Sequence, residues 1–284
     1  MGDAAVARSA EPEQARVSVE GLRAQGLVRW VRVTLAASSF FFFGLGGALL
    51  GFGVLPWLWL MGGSARQRRR RCQRCVKYAF RLFHAYMRTW RLLEFDAVSS
   101  AKNPRWPRGK AVVLVANHPT LIDTTAILSC LDDVVCIVTP WFGKNPLLWP
   151  LLRWCGHIVQ KGDTLADRVS VLDAARERLA QGESLLVFPE GTRSPPGKLG
   201  SFQRGGFELA LRAGVTLQPV AIRVYPHVLT GKTPWHDLPP CTANYRLEPL
   251  EPWLPTEYPV GRQAAREMAS QVRLRIVEHL RLPN

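Results

Sequence analysis

Apolar and polar positions alternate on different scales along this chain. From Val33 to Met61 run 29 uncharged residues, VTLAASSFFFFGLGGALLGFGVLPWLWLM, well above the ~18 that mark a candidate spanning helix. As a straight helix the run is ~43 Å long against a hydrocarbon core of ~30 Å, so a single span requires tilt or surplus length. Gly44, Gly46, Gly47, Gly51, Gly53 and Pro56 weaken its middle, and a broken hairpin with each half dipping ~20 Å is the competing geometry. The next stretch, Arg66 to Leu93, interleaves Val76, Phe80, Phe83, Tyr86, Met87 and Trp90 with cations. It predicts an amphipathic helix in the membrane interface, with a basic helix covering a globular domain as the alternative.

Beyond Asp96 the pattern shortens. Apolar runs at Val112–Ala116, Val134–Val138, His157–Gln160, Ser184–Phe188, Leu217–Ile222 and Asn244–Glu248 predict strands. Leu121–Cys130, Asn145–Cys155, Leu165–Gln181 and Arg204–Ala213 predict helices, the third with an apolar stripe of Leu165, Val169, Leu172, Ala175 and Leu179 and with Asp163 and Thr164 available as caps. After Leu250, three prolines lead to a terminal helix over about Arg262–Leu280. The expected fold is α/β, a central mixed sheet flanked by helices, with an N-terminal membrane-embedded helix or helical hairpin. The segments are a tail over 1–32, a membrane segment over 33–61, a basic interfacial segment over 62–95, a catalytic domain over 96–250 and a C-terminal connection and helix over 251–284.

Charge sharpens the membrane reading. Of the net charge of +15, two thirds lies before Phe95, where 15 basic residues face 5 acidic ones. Beside a long apolar run, such a local excess points to anionic lipid rather than nucleic acid. Arg66, Arg68, Arg69, Arg70, Arg71, Arg74 and Lys77 follow the run, so the positive-inside bias puts everything after Gly62 in the cytoplasm, as in a bacterial-type inner membrane. The apolar run starts too late and is too long for a cleaved signal peptide. Met1-Gly2 lacks a myristoylation signal, because Val6 stands where a hydroxyl is needed. The six cysteines are scattered as befits reduced thiols, and Cys72-Gln-Arg-Cys75 has no second ligand pair, so no metal site is expected.

Two motifs carry chemistry. Asn117-His118-Pro119-Thr120-Leu121-Ile122-Asp123 follows an apolar strand, and one helical turn brings His118 and Asp123 together. A carboxylate that holds one imidazole nitrogen raises the basicity of the ring and leaves the other nitrogen free to take a proton from an alcohol. Phe188-Pro189-Glu190-Gly191-Thr192-Arg193-Ser194 follows another strand and puts a carboxylate, a flexible glycine, a hydroxyl and a guanidinium at a strand's C-terminal end, where α/β sheets bind ligands. Arg193, helped by Lys198, has the means to grip a phosphate, with Glu190 orienting Arg193 or a substrate hydroxyl.

Together, NHPTLID and FPEGTRS, with 72 residues between His118 and Glu190, resemble the glycerolipid acyltransferases, the superfamily that includes 1-acylglycerol-3-phosphate acyltransferase. The resemblance covers roughly Val112 to Arg223, including FQRGGF at Phe202–Phe207 and Gln218-Pro219-Val220-Ala221. It implies that His118 is the general base, that Asp123 orients it, and that Glu190, Gly191, Thr192 and Arg193 bind the acceptor's phosphate or polar head. The implied reaction moves an acyl group from acyl-CoA or acyl-acyl-carrier-protein to a lysophospholipid hydroxyl, most simply 1-acylglycerol-3-phosphate, with these thioesters as co-substrates and no cofactor. One block departs from the family pattern: Gly156 to Gly162 ends in glycine where the family has arginine, with Lys161 one place early as the substitute phosphate contact. Tyr225-Pro226 through Trp235 also resembles homologues of specialised lipid pathways, aryl-polyene or ornithine-type, which makes a different acceptor the alternative. A hydrolase lacks the Gly-x-Ser-x-Gly elbow, although Ser194 is a candidate nucleophile, and a lipid-binding module without catalysis would not need His118.

Overall fold

The computed structural model describes residues 11–107, 109–162, 164–231, 233–257 and 259–282; the proposed cap Asp163 and the Met1-Gly2 and Val6 positions lie outside them. A helix α1 (Glu11–Leu49) passes through a π-helical turn (Leu50–Val54) into α2 (Leu55–Leu60). Leu49, Val54 and Leu55 all keep right-handed helical dihedrals, so the chain does not turn back at its glycines and the broken hairpin is not formed. The widened turn lies where the Pro56 ring would otherwise crowd the carbonyl of Phe52. Residues 11–32, expected as a tail, are therefore helical. Val28–Leu60 is long and apolar enough to cross a membrane by length and composition.

Gly62 and Gly63, both with positive φ, reverse the chain into α3 (Ala65–Thr89), whose first turn is closed by reciprocal hydrogen bonds of Ser64 and Gln67. The apolar side of α3 does not face lipid alone. Cys72, Val76, Phe80 and Met87 are buried in the core, and Phe43 of α1 stacks on Phe80 and meets Phe83 at a tilt. Its cations also turn inward: Arg70 pairs with Asp133 at 3.0 Å, Lys77 with Asp132 at 3.1 Å and Arg88 with Glu94 at 2.8 Å, and Arg81 donates to the Ser129 carbonyl. This helix covers the globular body on one side, while Tyr78, Leu82 and Trp90 remain exposed. Arg69 is the deepest of these cations, donating from Nε and Nη2 to the buried Glu183 at 3.2 and 2.9 Å.

The body follows as β1 (Leu93–Glu94), α4 (Ala97–Ala101), β2 (Val113–Ala116), α5 (Asp123–Cys130), β3 (Val134–Val138), α6 (Pro140–Lys144), α7 (Trp149–Cys155), β4 (Ile158–Val159), α8 (Leu165–Ala180), β5 (Ser184–Val187), α9 (Gly205–Ala213), β6 (Leu217–Tyr225), β7 (Ala243–Pro249) and α10 (Arg262–Leu280). The strands form one sheet in the order β1-β7-β6-β2-β5-β3-β4. The run from β6 to β4 is parallel, β7 is antiparallel to β6, and β1 is parallel to β7. Alternate residues of the central strands feed two cores. Leu114, Ala116 and Leu186 face α3, α5 and α7, whereas Val113, Val115 and Leu185 face α8, α9 and α10. The segment expected as one helix over 145–155 is helical only from Trp149, because Asn145 caps the end of α6 and Pro150 fits only a helix's first turn. The stripe on α8 is buried only at Ala175 and Leu179; Leu165 is 80% exposed and Val169 47%.

Removing Glu183 strands the buried Arg69 charge, so Glu183→Ala is expected to lower the unfolding free energy by about 3–5 kcal/mol in denaturant titration, and Arg69→Ala by less, because Arg178 pairs with the same carboxylate at 3.5 Å. Desolvation holds the buried His84 at a pKa of about 4, and desolvation followed by the Arg178 charge does the same for His157. The folded state keeps these rings neutral while the unfolded chain protonates them near 6.5, so their contribution is full above about pH 6.5 and lost as pH falls toward 4. Melting temperature followed across that window is expected to drop, and to drop less in His84→Gln.

Candidate active site

β2 ends at Ala116, and the next residue already organises the site. Asn117 is buried and exchanges two hydrogen bonds with Ile222 of β6, donating from Nδ2 to its carbonyl at 2.9 Å and accepting its N–H on Oδ1 at 2.7 Å. Its amide thus imitates one more backbone pair of the ladder and anchors His118 at the strand's end. The His118 ring stacks on Phe188, 4.1 Å between centroids and 20° between planes, and Nδ1 lies 2.7 Å from Asp123 Oδ2. That bond leaves Nε2 as the unclaimed nitrogen of a partly exposed ring.

Asp123, at the start of α5, is wholly buried, and both its oxygens are saturated. Oδ2 accepts from His118 and from the Thr120 N–H at 2.8 Å; Oδ1 accepts from Thr120 Oγ1 at 2.6 Å and from the Tyr245 hydroxyl at 2.9 Å. Tyr245 comes from β7, 122 residues away. Nothing in either motif points to it; its only sequence signal is an inward position in the alternating pattern of β7. Burial, followed by the adjacent Asp123 charge and hydrogen bond, pushes the Tyr245 phenol well above its usual pKa, so it remains a donor.

The second loop is laced to the first. Glu190, expected to orient substrate or Arg193, turns inward instead. Oε1 accepts from the His118 N–H at 3.0 Å and from Ser194 Oγ at 2.7 Å, and Oε2 accepts from the Gly200 N–H at 2.8 Å. The Ser194 N–H in turn donates to the His118 carbonyl at 2.7 Å. Ser194, candidate nucleophile of a hydrolase, is buried with its hydroxyl committed to Glu190. Gly191 adopts φ 70°, a left-handed backbone conformation that favours glycine.

Arg193 donates from Nη1 to the carbonyls of Leu229 and Thr230, both at 3.0 Å. Leu229 holds a left-handed φ of 52°, and its carbonyl also accepts the Leu121 N–H at 3.1 Å, which joins the 229–235 segment to both motifs. A cleft of about 510 Å³ opens there, lined by Arg193, Leu121, Leu229, Thr233 and Trp235 and, from α1, by Ala37 and Phe40. The expected phosphate contacts are not all assembled. Thr192 and Lys198 are exposed. Lys161, also exposed, follows β4, three strands from β2, a separation of about 14 Å at usual strand spacing.

Residues 98–223 match the family model described as Acyltransferase. Over this stretch the chain is similar to the glycerolipid acyltransferase superfamily. Within it, the chain is 31% identical over 120 residues to a 1-acyl-sn-glycerol-3-phosphate acyltransferase of Chlamydomonas reinhardtii, covering 41% of this chain and 35% of that protein. Against the mouse 1-acyl-sn-glycerol-3-phosphate acyltransferase alpha it is 32% identical over 133 residues, 45% of each chain. The chain thus spans less than half the length of these curated relatives. The crystal structure of the 1-acyl-sn-glycerophosphate (LPA) acyltransferase PlsC from Thermotoga maritima shares the fold, with a TM-score of 0.68 at 22% identity, over 90% of this chain and 99% of that one. The family match ends at Arg223, so Tyr245 and the Leu229–Trp235 wall of the cleft lie beyond it.

Because Glu190 holds three donors of the two loops, Glu190→Ala is expected to lower both activity and unfolding free energy, the latter by about 3 kcal/mol. A residue that only bound substrate would raise KM and leave the denaturation midpoint in place; measuring both in the same preparation separates the two roles.

Proposed function

We propose that the chain is a membrane-bound O-acyltransferase that moves a fatty acyl group from acyl-CoA or acyl-acyl-carrier-protein to the free hydroxyl of 1-acylglycerol-3-phosphate, forming phosphatidate. The reading is carried by one arrangement: His118, with Nδ1 committed to a buried carboxylate, on the loop beside a cleft with Arg193 and an apolar helix in its walls. In this mechanism Nε2 takes the proton of the acceptor hydroxyl as its oxygen attacks the thioester carbonyl. The tetrahedral intermediate collapses, the C–S bond breaks, and the imidazolium returns its proton to the leaving thiolate. A thioester is already activated, so proximity and one proton transfer, the latter worth ~10²–10⁴-fold, supply the acceleration. Arg193 meets the acceptor's phosphate with the guanidinium surface that its two carbonyl bonds leave free.

The same reading puts the cleft against lipid. Along its length, one side of the apolar helix packs on the globular body: Arg32 donates to the carbonyls of Arg91 and Cys241, Ser38 bonds Tyr86, Gly51 accepts from the Trp154 indole, and Leu55 is buried. The other side exposes Phe41, Leu45, Leu49, Phe52, Trp57 and Leu60. A helix so packed has lipid on one flank only. The protein therefore rests in one leaflet, the cytoplasmic one of a bacterial-type inner membrane, and draws its acceptor sideways past Phe40.

The test is mass-spectrometric detection of acyl transfer by the detergent-purified protein, offering labelled acyl-CoA and acyl-carrier-protein against lysophosphatidate and a panel of other lysolipids. Phosphatidate is expected from the wild type, none from His118→Ala, and a severe loss from Asp123→Asn. Full activity of His118→Ala overturns the mechanism; transfer to a different acceptor alone replaces lysophosphatidate with a specialised lipid.

A further inference from the structure

We propose that Tyr245 is a positioning residue of the reaction, and that its hydroxyl, with that of Thr120, sets which oxygen of Asp123 addresses His118 and how strongly. The inference rests on the acyl-transfer reading for its kinetic consequences and on geometry for its basis. Asp123 has two oxygens and four donors, divided two and two. Oδ1 takes only hydroxyls, from Thr120 at 2.6 Å and Tyr245 at 2.9 Å, while Oδ2 takes His118 and the Thr120 N–H. A buried carboxylate without partners on Oδ1 is free to rotate, and water is not at hand to compensate. The hydroxyl pair stops that rotation.

The Tyr245 ring is itself held. It meets Phe95 edge to face at 5.0 Å, and Phe95 meets His84 in the same way at 5.0 Å. His84 bonds Thr125 Oγ1 through Nε2 at 3.2 Å, and Thr125 donates its own proton to the Ile122 carbonyl at 2.8 Å, next to Asp123. The carboxylate is therefore gripped from β7 and from its own helix start, and both grips lean on α3. The titratable or charged groups around the pair are Tyr245 from β7, Cys130 further along α5, Glu190 and Arg193 from the loop after β5, and His84 from α3. Desolvation keeps Cys130 a neutral thiol and His84 a neutral imidazole at neutral pH.

The hydrogen bond also tunes charge. Each donor to Asp123 spreads its negative charge and so weakens its hold on an imidazolium. Deleting the Tyr245 hydroxyl concentrates that charge on His118, which raises the pH at which the ring deprotonates, while freeing the carboxylate to turn. The two effects give separate signatures.

The experiment uses the full-length protein in detergent, with Tyr245→Phe and Thr120→Val as the losses and Thr120→Ser as the conservative control. Tyr245→Phe is expected to lower kcat about tenfold, with KM for the acyl donor and the lysophosphatidate acceptor unchanged. The acidic limb of its pH–rate profile moves to higher pH. Thr120→Val does the same, and Thr120→Ser restores most of the rate. A second readout needs no substrate: the titration of the His118 imidazole followed by NMR in histidine-labelled protein, with the resonance assigned by its loss in His118→Gln. Its midpoint is expected to rise in Tyr245→Phe. An unmoved midpoint and an unmoved kcat overturn the proposal, as does a raised KM at constant kcat. If the wild type shows no acyl transfer to any acceptor while the His118 midpoint still moves, the functional reading fails and the positioning role stands. Should Tyr245→Phe not fold, Thr120→Val carries the same two measurements alone.

Discussion

The carboxylate of Glu190 and the backbone of His118 hold each other in place, and most of the site depends on that lacing. Two parallel strands, β2 and β5, end side by side, and the loops that leave them have nothing in common with a ladder. Left to themselves their polar groups would be satisfied by water. Here His118 N–H, Ser194 Oγ and Gly200 N–H converge on one buried carboxylate, and the Ser194 N–H closes the circuit at the His118 carbonyl. A buried charged acceptor is stabilised only when its hydrogen bonds are made, so this arrangement is close to all-or-none. It locates the histidine relative to the arginine loop without spending any of the histidine's own ring atoms.

The ring is then governed by a second buried carboxylate. Asp123 is dry and fully partnered, and its donors come from its own loop and from the antiparallel strand at the far side of the sheet. Such preorganisation is what the proposed general base requires, with the ring's orientation set by the protein rather than by solvent. The site therefore extends across four strands of the sheet, from β5 through β2 and β6 to β7, although its two motifs account for only the first two.

The apolar helix is built into this frame rather than tethered to it. Arg32, Ser38, Phe43, Gly51 and Trp59 each contact the body. Gly51 has a specific reason to be glycine, because a Cβ there would come within 3.0 Å of Pro150. The π turn leaves a carbonyl without its usual helical partner, and the Trp154 indole takes it. Ala37 and Phe40 lie in the cleft wall, so under the proposed reading the helix that borders lipid also borders the substrate cleft.

Local and periodic information was enough for the α/β class, because strand alternation and helix periodicity are properties of neighbouring residues. The strand at Val134–Val138 and the terminal helix at Arg262–Leu280 fall where the pattern puts them. The motifs were legible for the same reason: His118 and Asp123 are five residues apart on one strand-to-helix loop. Legibility failed wherever a residue's partner is remote. Arg69, Arg70 and Lys77 of α3 resemble part of a lipid-facing row until Glu183, Asp133 and Asp132 are folded against them. Glu190 resembles a substrate ligand until its three donors are seen, and Tyr245 is one aromatic among many until β7 carries it to Asp123. The sequence by itself determined which groups were present and which short-range pairs they form, His118 with Asp123 among them; only the tertiary structure decided which charges were already neutralised, because those pairs join residues tens to more than a hundred positions apart that no local pattern encodes.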